Sequence, residues 1–170
     1  MRRLILFRHA KAEPRATGMD DFDRPLTKRG RADAALIGAL LAHEELVPDL
    51  ALISPARRTL ETWICARECF PDAKAELRPE LYNASAAAIR AQVKQAEGSA
   101  RTLMVVGHNP GLQELAAALL IDNAASAAEI ARVAAKFPTA TAAAFLIDPV
   151  GRAALDGVFL AKEHGGGGEG

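Results

Sequence analysis

Three short apolar runs, widely separated along the chain, constrain the fold more than any other feature of this 170-residue sequence. They lie at residues 4–7, 50–53 and 103–106, and each is followed closely by polar residues. A short strand without a polar residue needs cover on both faces, which is typical of parallel sheets. Because the runs alternate with helical patterns, we predict an α/β fold in three layers, with a mostly parallel central sheet and helices on both faces.

Capping residues and helix breakers divide the segments between these runs. Thr27 is placed to cap a helix that extends to about His43, and Ser85 to cap one that extends to about Glu97. Further helices are predicted at residues 57–69, 112–120 and 128–136, and further strands at residues 75–77, 142–147 and 157–160. Residues 10–26 are left as a long loop after the first strand.

Length and composition narrow the class of protein. The length corresponds to one domain, which we place at residues 1–162, and the Gly-rich residues 163–170 are predicted to form a flexible tail. Lys and Arg together equal Asp and Glu in number, which argues against a general nucleic-acid or membrane-surface binder. No apolar run approaches the ~20 residues of a membrane span, and we identify no secretory leader. Cys65 and Cys69 have neither redox nor zinc spacing, so we expect reduced thiols and a cytoplasmic protein.

Polar signatures follow all three predicted strands. Arg8 and His9 follow the first, Arg57 and Arg58 lie just after the second, and His108 lies just after the third. Since the carboxyl ends of parallel strands meet at one edge of a sheet, these side chains should converge. Arginine matches the oxygens of a phosphoryl group, and a neutral histidine can attack phosphorus. No carboxylate stands within these signatures, so together they predict a site for a phosphoryl dianion, while each signature alone also fits an ordinary turn or a solvated helix start.

These signatures, taken with their neighbours, resemble the histidine phosphatase superfamily, whose fold is also called phosphoglycerate mutase-like. The similarity is greatest to the small SixA-type phosphohistidine phosphatases, and it spans about residues 2–150 in order. The segments that carry it are residues 8–12, 23–30, 54–62, 106–111 and 137–140. Ala10 stands where the wider superfamily has Gly, which the SixA-like group tolerates.

The resemblance implies a role for each signature. His9 would be the nucleophile that forms a covalent phosphohistidine, and Arg8, Arg58 and His108 would hold the phosphoryl oxygens. The Ser-Pro-x-x-Arg segment of the family selects Arg58 over Arg57 as the residue that holds phosphate. Whether Arg57 also touches phosphate stays open. The resemblance implies no metal and no cofactor.

Glu80 is the candidate general acid. In many relatives a Glu after the third strand protonates the leaving group, and Glu80 stands at about that place. An exposed loop carboxylate is an equal alternative, since the smallest members of the family have no dedicated acid.

The function expected from these features is that of a metal-independent phosphatase acting on phosphohistidine in a phosphorelay protein. The short segment between Arg58 and His108 favours it, because little chain is left to cover the site against a protein substrate. Two alternatives remain, a phosphatase of a small phosphoester and a weakly catalytic module that docks phosphorylated proteins. A metallohydrolase using His9 and His108 is disfavoured, because the sequence has no carboxylate cluster for it.

Overall fold

The computed structural model describes residues 1–167 of the chain. The strands are β1 (Arg3–Arg8), β2 (Leu50–Ile53), β3 (Lys74–Leu77), β4 (Thr102–Gly107), β5 (Thr141–Ile147) and β6 (Ala153–Leu160). The α-helices are α1 (Lys28–His43), α2 (Arg57–Ala66), α3 (Ala86–Ala96), α4 (Gly111–Asp122) and α5 (Ala127–Ala134). Short 3-10 turns occur at Asp21–Asp23, Arg67–Cys69, Pro79–Leu81 and Ala161–His164.

The six strands form one sheet in the order β3-β2-β4-β1-β5-β6. The first four strands in the chain run parallel, whereas β5 is antiparallel to β1 and β6 is antiparallel to β5. This arrangement confirms the predicted α/β fold with a mostly parallel sheet. The parallel strands also end at one edge, because Arg8 pairs with Gly107 and Ile53 pairs with Val106.

Alternate side chains of β1 enter two separate hydrophobic clusters. Leu4 and Leu6 pack in the cluster that includes residues of α3, α4 and α5, whereas Ile5 and Phe7 pack in the one that includes residues of α1 and α2. All four side chains are buried. Both faces of the strand are thus covered, which is the physical reason for a continuous apolar run at this position.

Helix starts follow the predicted caps, while some element ends differ from the prediction. The Thr27 hydroxyl accepts a hydrogen bond from the Gly30 N–H, and the Ser85 hydroxyl accepts one from the Ala88 N–H. The helix predicted at residues 57–69 ends as an α-helix at Ala66 and continues as a 3-10 turn that includes Cys69, a free, half-buried thiol like Cys65. Strand β6 starts at Ala153, before the predicted residue 157. The apolar pattern missed its first residues because an edge strand that pairs only with β5 needs no continuous apolar run.

The C-terminal segment packs against the domain beyond the predicted boundary at residue 162. The 3-10 turn at Ala161–His164 spans this boundary, and the Gly167 N–H donates to Asp33 Oδ1 in α1 at 3.1 Å. Residues 168–170 of the predicted tail lie outside the described residues. Within residues 1–167, no helix combines the length and the hydropathy that crossing a bilayer requires.

Candidate active site

The carboxyl ends of β1, β2 and β4 border a cavity of about 250 Å³, which we call the strand-end cleft. Four of the five residues predicted for the site line it, and these are Arg8, His9, Arg58 and His108. The register of the sheet brings these signatures together from distant parts of the sequence. Glu80, the fifth, is not among the described residues that line the cleft.

His9 is held with one ring nitrogen unprotonated. Its Nδ1 lies 2.8 Å from the Ala10 carbonyl oxygen, and because a carbonyl can only accept, Nδ1 carries the proton and Nε2 carries the lone pair. Burial lowers the pKa of His9 to about 3; the Ala10 hydrogen bond opposes this shift, and nearby positive charge adds to it. A neutral imidazole with a free Nε2 is the form that can act as a nucleophile at physiological pH.

The backbone on either side of His9 is fixed by the sheet. The His9 N–H donates to the Gly107 carbonyl oxygen, and the His9 carbonyl oxygen accepts from the Ala140 N–H, both at 3.1 Å. The main chain of the nucleophile candidate is therefore attached to β4 and to the segment before β5, while the Nδ1 hydrogen bond to the Ala10 carbonyl orients its ring.

His108 faces His9 across the cleft, with the ring centroids 5.4 Å apart. Its Nε2 lies 2.7 Å from the Ser54 hydroxyl, and its Nδ1 is buried without a partner among the described residues. Burial, followed by the charge of Arg58, lowers the pKa of His108 to about 3, so this ring is also neutral. When the Ser54 hydroxyl donates its hydrogen bond to Nε2, Nδ1 carries the ring proton and can donate a hydrogen bond to a ligand oxygen.

Arg8 is anchored by the turn that precedes β5. Its Nη1 donates to the Phe137 carbonyl oxygen at 2.8 Å, and its Nε is buried without a partner in the described part of the chain. Burial lowers the pKa of Arg8, but a guanidinium remains charged at any physiological pH. Arg8 therefore retains donor capacity for an anion in the cleft.

Arg58 is paired with a carboxylate that the sequence did not predict at this site. Its Nη1 donates to the Asp21 carbonyl oxygen at 2.8 Å, and its Nη2 donates to Asp21 Oδ2 at 3.1 Å. Arg24 Nη1 donates to Asp21 Oδ1 at 3.0 Å, so one carboxylate bridges two arginines. The expectation that no carboxylate stands among the cations is wrong for the folded site, because the 3-10 turn at Asp21–Asp23 folds over Arg58.

Hydrogen bonds keep the Asp21 carboxylate ionised. Burial acts to raise its pKa, but hydrogen bonds from Arg24 and Tyr82 and the charge of Arg58 lower it to about 2. The Tyr82 hydroxyl donates to Asp21 Oδ2 at 3.0 Å, and the Tyr82 ring meets the His108 ring edge-on at 5.6 Å. Tyr82 thus connects the Asp21 turn to the second histidine.

Arg24, Asp21 and Tyr82 were missed as site residues. Arg24 lies within the segment at residues 23–30 that resembles the phosphohistidine phosphatases, so a signal for it was present. Arg24 lines the strand-end cleft, as does Lys11. Asp21 and Tyr82 gave no such signal, because their importance depends on contacts with Arg58 and His108 far away in sequence.

Neither Arg57 nor Glu80 is among the described residues that line the cleft. Arg57 Nε donates to Glu61 Oε1 on the next turn of α2 at 2.8 Å, which directs it to solvent. Glu80 is exposed in the 3-10 turn at Pro79–Leu81 and makes no hydrogen bond or ion pair within residues 1–167. The role of Glu80 as a general acid stays a prediction.

The charge of the cleft is supplied by side chains. Four cations, Arg8, Lys11, Arg24 and Arg58, line it, and the Asp21 carboxylate pairs with two of them. Within the described chain, no three His, Cys, Asp or Glu side chains are grouped so that they could hold a metal ion. Three guanidinium groups, two of them paired with the Asp21 carboxylate, suit a small polyanion, because they can donate forked hydrogen bonds to its oxygens.

Comparison with known proteins agrees with this geometry. The family model of the histidine phosphatase superfamily (branch 1) matches residues 4–97. The chain belongs to the histidine phosphatase superfamily, as its resemblance predicted. Family and fold together support an enzyme of the phosphatase class.

Three relatives illustrate this relationship. An uncharacterised chloroplast protein of Arabidopsis thaliana is 36% identical over 130 residues, which are 69% of this chain but only 59% of the relative. An uncharacterised protein of Mycobacterium tuberculosis is 35% identical over 133 residues, or 78% of this chain and 81% of the relative. A crystal structure of SixA from Agrobacterium tumefaciens, described as a candidate phosphohistidine phosphatase, is 30% identical with a TM-score of 0.83 and covers 94% of this chain and 97% of that one.

Proposed function

We propose that this protein is a metal-independent phosphatase that hydrolyses phosphohistidine on a phosphorelay protein through a covalent phosphohistidine at His9. The observation that carries the proposal is the neutral His9 ring, whose Nε2 lone pair is free in a cleft lined by Arg8, Arg24 and Arg58. A nucleophile and a set of hydrogen-bond donors for phosphate oxygens are thereby combined in one place.

In the first step, His9 Nε2 attacks phosphorus. The new N–P bond forms as the bond to the substrate imidazole breaks, and that imidazole departs neutral, because its other ring nitrogen carries a proton. Arg8, Arg24 and Arg58 stabilise the charge on the phosphoryl oxygens. The Ala10 carbonyl accepts the Nδ1–H and so stabilises the positive charge that develops on the His9 ring.

In the second step, water attacks the phosphorylated His9. The N–P bond breaks, inorganic phosphate forms, and the His9 ring returns to its neutral state with the proton still on Nδ1. The water loses a proton to solvent or to a phosphate oxygen, so no metal-bound hydroxide is needed in this scheme. The cations of the cleft are those that hold the phosphoryl group in both steps.

The ease of the leaving group supports phosphohistidine as the substrate. The substrate ring can be protonated on its other nitrogen near neutral pH, given the free-histidine pKa of ≈ 6.5, and it then departs readily as neutral imidazole. A dedicated acid is therefore of little benefit. Glu80, the candidate acid, is outside the residues that line the cleft. The similarity to the Agrobacterium SixA protein favours the same substrate class over a small alkyl phosphoester.

Trapping of the intermediate tests the mechanism. Rapid quench with a labelled phosphoryl donor should leave acid-labile, base-stable label on the wild type and none on His9→Ala. The exposed histidine variant His43→Ala is the matched control and should retain the label. Label that persists in His9→Ala, or that is found on His108, contradicts the assignment of the nucleophile.

A substrate panel tests the specificity. We expect kcat/KM for a phosphohistidine protein to exceed that for sugar and nucleotide phosphates, with activity that persists in EDTA. A higher kcat/KM for any of the alkyl phosphoesters contradicts the proposed substrate, and loss of activity in EDTA that zinc or magnesium restores contradicts the proposed mechanism.

A further inference from the structure

A second, wider cavity of about 410 Å³ adjoins the strand-end cleft, and Arg8 and Asn109 line both. Its other side is formed by the segment after α5, which contributes Lys136, and by the 3-10 turn after β6, which contributes Lys162. We call this second cavity the basic cleft. Its volume lies within the ~300–1,000 Å³ typical of ligand sites, and a group attached to a bound phosphoryl could extend into it.

Hydrogen bonds fix the wall between the two cavities. The Phe137 carbonyl oxygen accepts from Arg8 Nη1 at 2.8 Å and from Asn109 Nδ2 at 2.9 Å. Gln113 of α4 donates to the Ala134 carbonyl oxygen at 2.6 Å, which attaches the end of α5 to the same wall. The fold therefore sets the position of the basic cleft relative to Arg8, the residue proposed to bind the phosphoryl group.

The basic cleft presents uncompensated positive charge. Lys136 and Lys162 are exposed, and within residues 1–167 neither makes an ion pair or a hydrogen bond. No Asp or Glu is among the described residues that line the cleft. Most of the ion pairs in the described chain instead join an arginine to a carboxylate, so these two lysines are left to attract an anion from outside.

The junction of the two cavities also offers an acceptor. Asn109 Oδ1 is buried and has no partner among the described residues, while its Nδ2 is fully engaged by Phe137 and Gln113. A peptide N–H is a group that would satisfy this oxygen. Two cations and an unmatched acceptor together are complementary to an acidic stretch of polypeptide.

We propose that the basic cleft binds acidic side chains that flank the phosphohistidine of a protein substrate. The proposal rests on the proposed function and deepens it, because it assigns the substrate a chemistry beyond the phosphoryl group. Lys136 and Lys162 would attract the carboxylates, and Asn109 would accept from the substrate backbone. These residues act on recognition, so their contribution appears in kcat/KM and depends on ionic strength.

The test uses three phosphohistidine peptides that differ only in the residues flanking the phosphohistidine, which are Glu, Gln or Lys. At low ionic strength the wild type should prefer the Glu peptide over the Gln peptide by about fivefold in kcat/KM, from exposed charge pairs of ordinary strength. The preference should fall to about twofold or less near 0.5 M salt. The order of the three peptides should be Glu, Gln, Lys.

Two variants locate the effect. The double variant Lys136→Gln with Lys162→Gln should bring the ratio of the Glu and Gln peptides to about one. Lys94→Gln, an exposed lysine of α3 outside the cleft, changes the charge of the chain without touching the site and should keep the wild-type ratio. Because all three lysines are exposed, the melting temperatures should agree, which excludes a folding defect as the cause.

A pair of small phosphoesters tests whether the basic cleft binds the carboxylate of a small molecule instead of the carboxylates of a peptide. Glycerol 3-phosphate and 3-phosphoglycerate differ by a carboxylate, and a preference for the acid in this pair without one among the peptides overturns the acidic-segment proposal. Equal turnover of the three peptides, or a Glu preference that survives in the double variant, also overturns it and leaves the proposed function intact. Absence of turnover with every peptide contradicts the proposed function itself, and the proposal fails with it.

Discussion

At the scale of single residues, Asp21 decides how much positive charge the strand-end cleft presents. Its carboxylate lies between Arg24 and Arg58, and it accepts a third hydrogen bond from Tyr82. Two guanidinium groups would repel each other if they converged without it. Asp21 therefore positions both arginines and, at the same time, weakens the attraction of the cleft for an incoming anion.

Asp21→Asn should separate these two effects. The Asn side chain keeps one acceptor oxygen and replaces the other by an amide that cannot accept, and the Asp21 carbonyl bond to Arg58 remains. One negative charge is lost beside two arginines. We expect inorganic phosphate to inhibit the variant about threefold to tenfold more strongly, with a larger change at low salt. Asp23→Asn, an exposed neighbour, is the matched control. An unchanged inhibition constant for Asp21→Asn would show that the charge of Asp21 does not reach the bound anion.

Glu80→Gln tests whether an acid from outside the cleft takes part in catalysis. General acid catalysis is typically worth about 10²–10⁴-fold, and it matters most when the leaving group is an alkoxide. We expect kcat/KM for an alkyl phosphoester to fall much more than kcat/KM for phosphohistidine, while the exposed Glu68→Gln control changes neither.

Two other results would change the role of Glu80. Large and equal losses on both substrates would mean that Glu80 acts on the phosphoryl group or on folding. No loss on either substrate would make Glu80 an ordinary loop carboxylate. Arg58→Ala, by contrast, should slow both reactions, because Arg58 lies in the cleft that we propose to receive the phosphoryl group common to both substrates.

At the scale of elements, the site is built from strand ends, and these were predictable. The apolar runs that become β1, β2 and β4 need cover on both faces, which predicts that they are strands of one parallel sheet and that Arg8, His9 and His108 converge at its edge. The 3-10 turn at Asp21–Asp23 was not predictable. It has no periodic pattern, and it is held by Arg58 and Tyr82 from elsewhere in the chain.

The basic cleft is a second case of tertiary arrangement that the sequence does not display. Lys136 and Lys162 lie in separate segments, and neither belongs to a recognisable motif. They come together because β5 and β6 form an antiparallel pair that returns the chain to the end of the sheet where α5 stops. Capping residues such as Thr27 acted locally, which is why helix starts were predicted more closely than loops.

The contact between α1 and α2 depends on Gly38. A Cβ at this position would lie 2.8 Å from both the Cα and the carbonyl oxygen of Ala66, so one helix has to move. Gly38→Ala should lower the free energy of unfolding by about 1–3 kcal/mol from overpacking, in spite of the better helix propensity of Ala. Gly98→Ala is the control, because nothing lies within 4 Å of its added carbon. A Gly38 variant as stable as the wild type in urea would contradict this close helix contact.

At the scale of the whole molecule, the candidate site is maintained at a cost in acid stability. Burial keeps His9 and His108 neutral in the folded protein, with pKa values lowered from 6.5 to about 3. In the unfolded chain both rings take up a proton near their ordinary pKa. The unfolded state therefore binds more protons than the folded state across this interval, so folding is favoured above it and is weakened as the pH falls.

The free energy of unfolding should thus decrease as the pH is lowered from about 6.5 toward 3, by up to ~1.4 kcal/mol per pH unit for each histidine. Asp21 extends the loss in the same direction below its ordinary pKa of 3.8, because its folded-state pKa is about 2.

Urea unfolding at a series of pH values measures the slope. His108→Gln removes one of the two rings and should roughly halve the slope between about pH 6 and 4. His43→Gln, whose parent side chain is 82% exposed, should leave it unchanged. A wild-type stability that is flat across this interval would mean that the two rings are not held neutral by burial, and the free lone pair on His9 Nε2 would then need another explanation.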